Sequence, residues 1–319
     1  MMMGKPLVSV VIPLYNKEST IAKSIDSVLS QTVCDFELIV IDGHSTDNSK
    51  SIVSSYMDER IHLASQIGMG VSGARNQGIK LAHSDFIAFL DADDEWMPDF
   101  LETVLRLRTM YPDAGMYGTA FSVFQEGSFV HDIVLHAALG ERILTSYFGD
   151  FIALGCPLII TSSFATPKNI LEEVSGYPEN LRVGEDHELF GKIALQHPVA
   201  YSPKVCSRYN LNSENSTDVV HFLLEVPLEQ YLKNAISDEK MRTISNLKDY
   251  MDYWRLRTGA RNIYSGFRRE GREQLSSVSS PNSYLLKKLF LLISYVPFDL
   301  SRISSKTVRR VLRGVSLSI

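Results

Sequence analysis

Asp91-Ala92-Asp93 follows the apolar run Phe86 to Leu90 directly, so two carboxylates separated by one small residue leave the end of a candidate strand. Carboxylate oxygen is the donor that a hard cation such as Mg2+ or Mn2+ prefers, with water and substrate phosphate completing its shell, and a pair at i, i+2 in a turn can reach both metal and ribose. An acidic turn capping the helix after Pro98 would use the same residues. Glu185-Asp186 follows Gly184 and opens a segment whose apolar positions Leu189, Phe190, Ile193 and Ala194 have helical spacing. Carboxylates there are either partners of the helix dipole or a general base aimed at a hydroxyl. Arg75 lies in the glycine-rich stretch Gly70-Val71-Ser72-Gly73-Ala74-Arg75-Asn76-Gln77-Gly78. Free backbone N–H groups and a guanidinium at such a helix start attract phosphate, while the same glycines equally permit close helix packing.

These residues need a scaffold that brings distant stretches together. The first 110 residues alternate apolar β-rich runs, Val8 to Leu14, Glu37 to Ile41, Ile61 to Ala64 and Phe86 to Leu90, with helical patterns. One helical stripe is Ile21, Ile25, Val28 and Leu29; another is Ala74, Gly78, Leu81 and Ala82. Alternation of strand and helix predicts a parallel sheet, whose right-handed crossovers gather the carboxyl-terminal loops at one edge. Polar residues collect at those ends: Tyr15-Asn16 after the first strand, Asp42 to Asp47 after the second, Asp91 to Asp94 after the fourth. Mixed structure follows from Tyr111 to Tyr209, with strands expected near 115–124 and 199–209 and a helix over 185–196. From Asp218 onward the chain reads as helical, with breaks near Ser237-Asp238 and Ser276 to Asn282.

The 319 residues, 45% hydrophobic and 22% charged, describe a globular protein. Cys34, Cys156 and Cys206 are widely spaced and odd in number, which points to neither a disulfide framework nor a zinc site and suits a reducing, cytoplasmic setting. The opening apolar stretch Leu7 to Leu14 is too short for an export signal and reads as a first strand. Net charge is −5, divided into +6 over residues 281–319 and −11 over residues 1–280. An acidic body disfavours nucleic acid as a partner, and a basic tail invites an anionic surface. The apolar run Tyr284 to Phe298 is shorter than the about 20 residues a span requires. It fits either a basic amphipathic helix at the lipid interface or a terminal helix docked on protein.

Taken in order, Val8 to Asn16, Ser27 to Thr32, Glu37 to Gly43, Ser45-Thr46-Asp47, Ala74 to Gly78, Phe89 to Asp94 and Gly184-Glu185-Asp186 give the chain a close resemblance to family 2 inverting glycosyltransferases of the GT-A fold, over roughly residues 5–215. The resemblance implies an α/β nucleotide-diphospho-sugar transferase fold with a mostly parallel twisted sheet. Its catalytic domain would cover 1–215, with a nucleotide half (1–110) and an acceptor half (111–215), followed by a helical region over 216–319.

It also implies roles. Pro13, Tyr15 and Asn16 would line base and ribose, Asp42 would face the base, Arg75 the base or diphosphate, and Asp91 the ribose; Ala92 belongs to the same donor site. Asp93 would ligate Mn2+ or Mg2+, Asp186 would be the base, Glu185 its neighbour in the acceptor pocket, and Trp96 a wall of that pocket. The partners implied are a nucleotide-sugar donor, with UDP the first choice, and a saccharide or lipid-linked saccharide acceptor in surface polysaccharide synthesis. The expected location is cytoplasmic, peripheral on the inner face of the plasma membrane, with homo-oligomerisation left open.

Three departures stand out. Relatives often carry two aspartates after the second strand, where this chain has Asp42-Gly43; an Arg-x-His pattern appears as Arg208-Tyr209-Asn210; and the Gln-x-x-Arg-Trp signature of processive synthases is absent. Transfer of a single sugar is the expected mode. A nucleotidyltransferase is disfavoured because Pro13-Leu14-Tyr15-Asn16 stands where such enzymes carry a glycine-rich basic loop. A noncatalytic glycan-binding or scaffold protein on the same fold is disfavoured by the presence of Asp93 and Asp186.

Overall fold

The computed structural model describes residues 5–211, 224–235, 243–279 and 284–295. It divides into two compact units. The first comprises Met1–Thr145, Leu158–Asn180 and Lys192–Ser216, and the second Ser146–Pro157, Leu181–Gly191 and Thr217–Ile319.

The chain begins as the apolar periodicity predicts: β1 (Val8–Leu14), α1 (Ile21–Leu29), β2 (Phe36–Asp42), α2 (Ser49–Ser54), β3 (Ile61–Ser65), α3 (Gly70–Leu81) and β4 (Phe86–Phe89). It continues through β5 (Glu95–Trp96), α4 (Phe100–Met110), β6 (Met116–Gln125), β7 (Ser128–Ile133), β8 (Arg142–Ile143), α5 (Tyr147–Leu154), β9 (Phe164–Pro167), α6 (Lys168–Glu173), α7 (Glu185–Gln196) and β10 (Val199–Leu211).

All ten strands form one sheet in the first unit, in the order β3-β2-β1-β4-β9-β6-β10-β5, with β7 on β6 and β8 on β10. The β3-β2-β1-β4 half is parallel, as expected, and its register sets Leu14 beside Asp42 and Val11 beside Phe89. The other half is mixed, because β9 is inserted antiparallel between β4 and β6, while β6 and β10 run parallel. Every residue of β1 except Pro13, and every residue of β2 and β4, is buried. Such two-sided burial explains why these runs are continuously apolar instead of alternating.

Helix α1 turns Ile21, Ile25 and Val28 into this core, and the buried Ser24 and Ser27 on the same face are reserved for polar contacts described below. Helix α3 lies close to β1: a Cβ on Gly78 would stand 2.3 Å from Val11 Cγ1, so glycine is what lets the helix approach. β10 shifts register between Ser202 and Ser207, around Pro203, a residue unable to donate to a regular ladder.

The second unit is helical. It contains α5, the first half of α7, and the helices Glu229–Ala235, Leu247–Tyr264, Arg268–Ser276 and Tyr284–Tyr295. Gly259 and Gly271 bring the second and third of these C-terminal helices into backbone contact, since a Cβ on either would meet the carbonyl oxygen of the other within 3.0 Å. Leu256, Ala260, Ile263, Leu275, Val278 and Phe290 close a small core there. Phe290 therefore docks the helix Tyr284–Tyr295 onto protein, and Lys287 Nζ donates to the carbonyls of Ser276 and Val278. Leu289 and Leu292 of that helix are 46% and 68% exposed. The break expected over Ser276 to Asn282 begins where Arg268–Ser276 ends, with 277–279 non-helical; positions 237–238, 280–283 and 296–319, the last including most of the expected basic tail 281–319, lie outside the described residues.

Candidate functional site

The carboxyl ends of β1, β2 and β4 carry the polar residues singled out in the sequence. The first two loops are laced together. Asn16, at φ 48°, donates its backbone N–H to Ser45 Oγ (3.1 Å) and accepts from the Thr46 N–H through Oδ1 (2.7 Å). The Lys17 N–H donates to Ser49 Oγ (2.7 Å), and the Glu18 N–H to Asp47 Oδ2 (3.0 Å). The Ser45-Thr46-Asp47 stretch thus earns its place by fixing the loop after β1. Tyr15 is left 54% exposed at the rim, while Pro13 is partly buried.

Asp42 is expected to face a base. It is 3% exposed, and its Oδ1 accepts the Ser45 N–H at 3.1 Å, so one of its oxygens shapes the loop after β2. A Cβ at Gly43, where relatives often carry a second aspartate, would meet Gln66 Oε1 at 2.9 Å and the Leu14 carbonyl at 3.3 Å, so the end of the Gln66 side chain would have to shift to admit one.

The turn after β4 is the centre of the constellation. Asp91 accepts from Arg75 Nη2 at 2.7 Å, and Asp93 Oδ2 accepts from Lys17 Nζ at 2.7 Å. The Ala92 carbonyl accepts from Thr20 Oγ1 (2.9 Å). The Arg75 side chain is only 4% exposed, and its Cζ lies 4.9 Å over the Tyr177 ring. It is the group that orients Asp91. Asn76 holds Tyr177 through the latter's N–H (2.9 Å) and carbonyl (2.9 Å), which explains the Ala-Arg-Asn run as a clamp.

Asp94, unassigned from the sequence, is 1% exposed. Ser162 Oγ donates to its Oδ2 at 2.6 Å and the Asn210 N–H to its Oδ1 at 2.9 Å. Asn210 Nδ2 also donates to the Asp93 carbonyl (2.6 Å), and the Asp91 N–H donates to Ser162 Oγ (3.1 Å). Burial first, and then the charges of Asp93 and Asp91, push the Asp94 carboxyl well above the usual carboxylate range. The last position of Arg208-Tyr209-Asn210 therefore holds the acidic turn from the β10 side. The third aspartate of the Asp91 to Asp94 run was the available signal.

Trp96 is 4% exposed, stacks on Phe100 (centroids 4.2 Å apart) and donates Nε1–H to the Ser162 carbonyl (2.8 Å). Its burial follows from the pairing of the two-residue β5 with β10. The Ser27 to Thr32 stretch serves the same loop: Ser27 Oγ accepts the Trp96 N–H, and Gln31 bridges the Met97 carbonyl and the Leu101 N–H.

Asp186 belongs to the second unit, as the second residue of α7. Its side chain is 25% exposed, and Oδ1 accepts the His187 N–H at 2.8 Å. The His187 ring packs 4.4 Å from Trp254 and edge-on to Phe151 at 5.9 Å. Burial pushes the imidazole's proton affinity below its ordinary value, against the pull of Asp186. Glu185 stands one residue earlier in the same first turn, and Glu188 is occupied structurally, accepting the Leu228 N–H.

Among the described residues no group of three or more His, Cys, Asp or Glu could hold a metal ion. The donor set instead fits a cation attached by one carboxylate and completed by substrate phosphates and water, the usual habit of Mg2+ at phosphate sites. Asp93, 17% exposed at the turn, is the residue that would hold it.

A parallel β3-β2-β1-β4 half-sheet continued by β9, β6 and β10, with acidic turns at the strand ends, is the GT-A fold. Solved structures of it align with nearly the whole chain. Residues 1–349 of TarS from S. aureus, in complex with UDP-GlcNAc, match with a TM-score of 0.59 at 18% identity, covering 98% of this chain and 87% of that one. The mannosyltransferase PcManGT from Pyrobaculum calidifontis, in complex with GDP-Man and Mn2+, matches with a TM-score of 0.60 at 16% identity, covering 98% and 86%.

The family model described as glycosyl transferase family 2 matches residues 9–174, and the chain belongs to that family. A curated relative, the UDP-Glc:alpha-D-GlcNAc-diphosphoundecaprenol beta-1,3-glucosyltransferase WfgD of Escherichia coli, is 40% identical over 155 residues, 48% of this chain and 59% of the relative. The chondroitin synthase of Escherichia coli is 26% identical over 263 residues, 78% of this chain but 36% of that protein. The chain thus matches little more than half the length of the first relative and about a third of the second.

Proposed function

We propose that the chain is a metal-dependent, inverting glycosyltransferase that moves one sugar from a nucleoside diphosphate sugar, UDP-linked by preference, to a saccharide or lipid-linked saccharide in bacterial polysaccharide synthesis. The observation that carries this reading is the acidic turn after β4: Asp91 is oriented by Arg75, and Asp93 lies partly open beside it, its backbone held by Asn210. The family membership and the UDP-glucose named for the E. coli relative support the donor class.

In this reading Asp91 accepts ribose hydroxyls, and Tyr15 stands at the rim beside base and ribose. A divalent cation, when bound, stabilises the negative charge that develops on the leaving phosphate, so no protonating acid is required. Asp186 takes the proton of the acceptor hydroxyl as its oxygen attacks the anomeric carbon from the face opposite the leaving group, which inverts that centre.

A thermal-shift series with Mn2+ and UDP, GDP, CDP and their sugars tests the donor assignment. Ligand at 100 times Kd stabilises the native state by about 2.7 kcal/mol, and a rise in melting temperature is expected for UDP with Mn2+. No rise with any nucleoside diphosphate would remove the proposal.

The exposed Leu289 and Leu292, on a helix leading into the basic 296–319 stretch, support a peripheral membrane location. No helix among the described residues is long and apolar enough to cross a bilayer. Co-sedimentation with vesicles containing anionic lipid is expected, and should weaken steeply with added salt. Pelleting that is equal with purely zwitterionic vesicles would count against the basic tail as the cause.

A further inference from the structure

Lys17 has no role in the reading above, yet its ammonium meets the side chain of Asp93. Its backbone is fixed: the N–H is held by Ser49 Oγ, and its carbonyl accepts the N–H of Ile21 at 2.9 Å as α1 begins. Asp93 is anchored too, through the Asn210 amide on its carbonyl. Between these two anchored backbones the ammonium and the carboxylate meet at 2.7 Å, with only 13% and 17% of the side chains exposed. A pair this sheltered is less screened than a surface ion pair, and its members are close enough for one charge to govern what the other can bind.

We infer that Lys17 gates the cation site: its ammonium occupies Asp93 until a diphosphate arrives, and then moves to the phosphate oxygens as the divalent cation takes the carboxylate. The inference rests on the assignment of Asp93 as the metal ligand. Electrostatics supply both halves. A cation entering alone meets a positive charge already seated on its ligand and must displace it without compensation. A diphosphate arriving with the cation offers the displaced ammonium a new anion within the same loop cluster. Metal and nucleotide therefore bind as a coupled pair, each raising the affinity for the other by the same factor. Lysine suits this better than arginine would, because its single point charge on a flexible stem can exchange partners without the geometric commitment of a guanidinium fork.

The test is Mn2+ titration followed by electron paramagnetic resonance, which reads free Mn2+ without requiring turnover, on the full chain and on Lys17→Met, each with and without UDP. UDP affinity at saturating Mn2+ is measured alongside by calorimetry. Removing the positive charge that now occupies the Asp93 carboxylate is expected to tighten Mn2+ binding in the absence of nucleotide by roughly tenfold. The same variant should bind UDP more weakly at saturating Mn2+, so the factor by which UDP tightens Mn2+ falls. Lys17→Arg, which keeps the charge, should leave Mn2+ binding without nucleotide close to that of the unchanged chain; it also serves as the folding control. Mn2+ binding no tighter in Lys17→Met than in the unchanged chain would overturn the gate while leaving Asp93 as ligand. Mn2+ binding by neither protein, with or without UDP, would overturn the metal reading and the gate together.

Discussion

Asp186→Asn is expected to lower the rate of sugar transfer by about a thousandfold while leaving affinity for the nucleotide with Mn2+ within about twofold; positioned general bases typically contribute 10²–10⁴. The substitution is isosteric, and its amide oxygen can still accept the His187 N–H that Asp186 Oδ1 accepts now at 2.8 Å. The start of α7 therefore keeps its shape and loses only the proton acceptor. The Asp186 side chain is 25% exposed. His187 Nε2 lies 3.9 Å away, too far for a hydrogen bond, and burial disfavours the imidazolium, so the neighbour does not tie up the carboxylate as a fixed ion pair. Glu188 is consumed by Leu228, which leaves it unable to substitute. Single-turnover transfer and nucleotide titration on the same preparation make the comparison. Retention of more than about a tenth of the transfer rate would place the base elsewhere.

How much of this was legible in the sequence depends on what each residue answers to. β1, β2 and β4 could be read because two-sided burial writes an unbroken apolar run bounded by polar turns, and α7 because Leu189, Phe190 and Ile193 repeat at helical spacing. β5, β8 and β9 could not be read: they are two, two and four residues long, and exist because β10, β4 and β6 offer edges to pair with. Local preference cannot specify such elements. The burial and the neighbours of Trp96 were likewise invisible without the β5 pairing. The aspartates proposed for the donor site were legible as strand ends, but the sequence does not reveal which polar residues are held by other side chains. Arg75, committed to Asp91 and Tyr177, and Asp94, committed to Ser162 and Asn210, are held in this way. Their partners lie 16 to 116 positions away in the chain.

A division between touching and holding predicts a difference between adjacent aspartates. Asp93→Ala is expected to weaken Mn2+-dependent nucleotide binding by about a hundredfold or more, since the cation loses its protein carboxylate. The turn should keep its backbone shape, because the Asn210 contact at this position is to the backbone carbonyl, which alanine retains, and the cost to the fold is confined to the lost Lys17 ion pair. Asp94→Ala should behave differently. Its carboxyl is 1% exposed and takes hydrogen bonds from both Ser162 and Asn210, so its removal strands the buried Ser162 hydroxyl at a cost of about 1–3 kcal/mol and a partly buried Asn210 N–H at a smaller one. Global stability in urea should fall accordingly. Metal-dependent binding should fall as well, by roughly 10- to 100-fold, although Asp94 itself reaches no ligand, because outer contacts that orient a ligating group carry weight of that order. Urea midpoints and Mn2+-dependent nucleotide affinity, measured on both variants, separate the two roles. An Asp93→Ala chain that keeps its affinity would deny this turn the cation, and an Asp94→Ala chain unchanged in both measurements would show that the buried carboxyl is not what holds the turn.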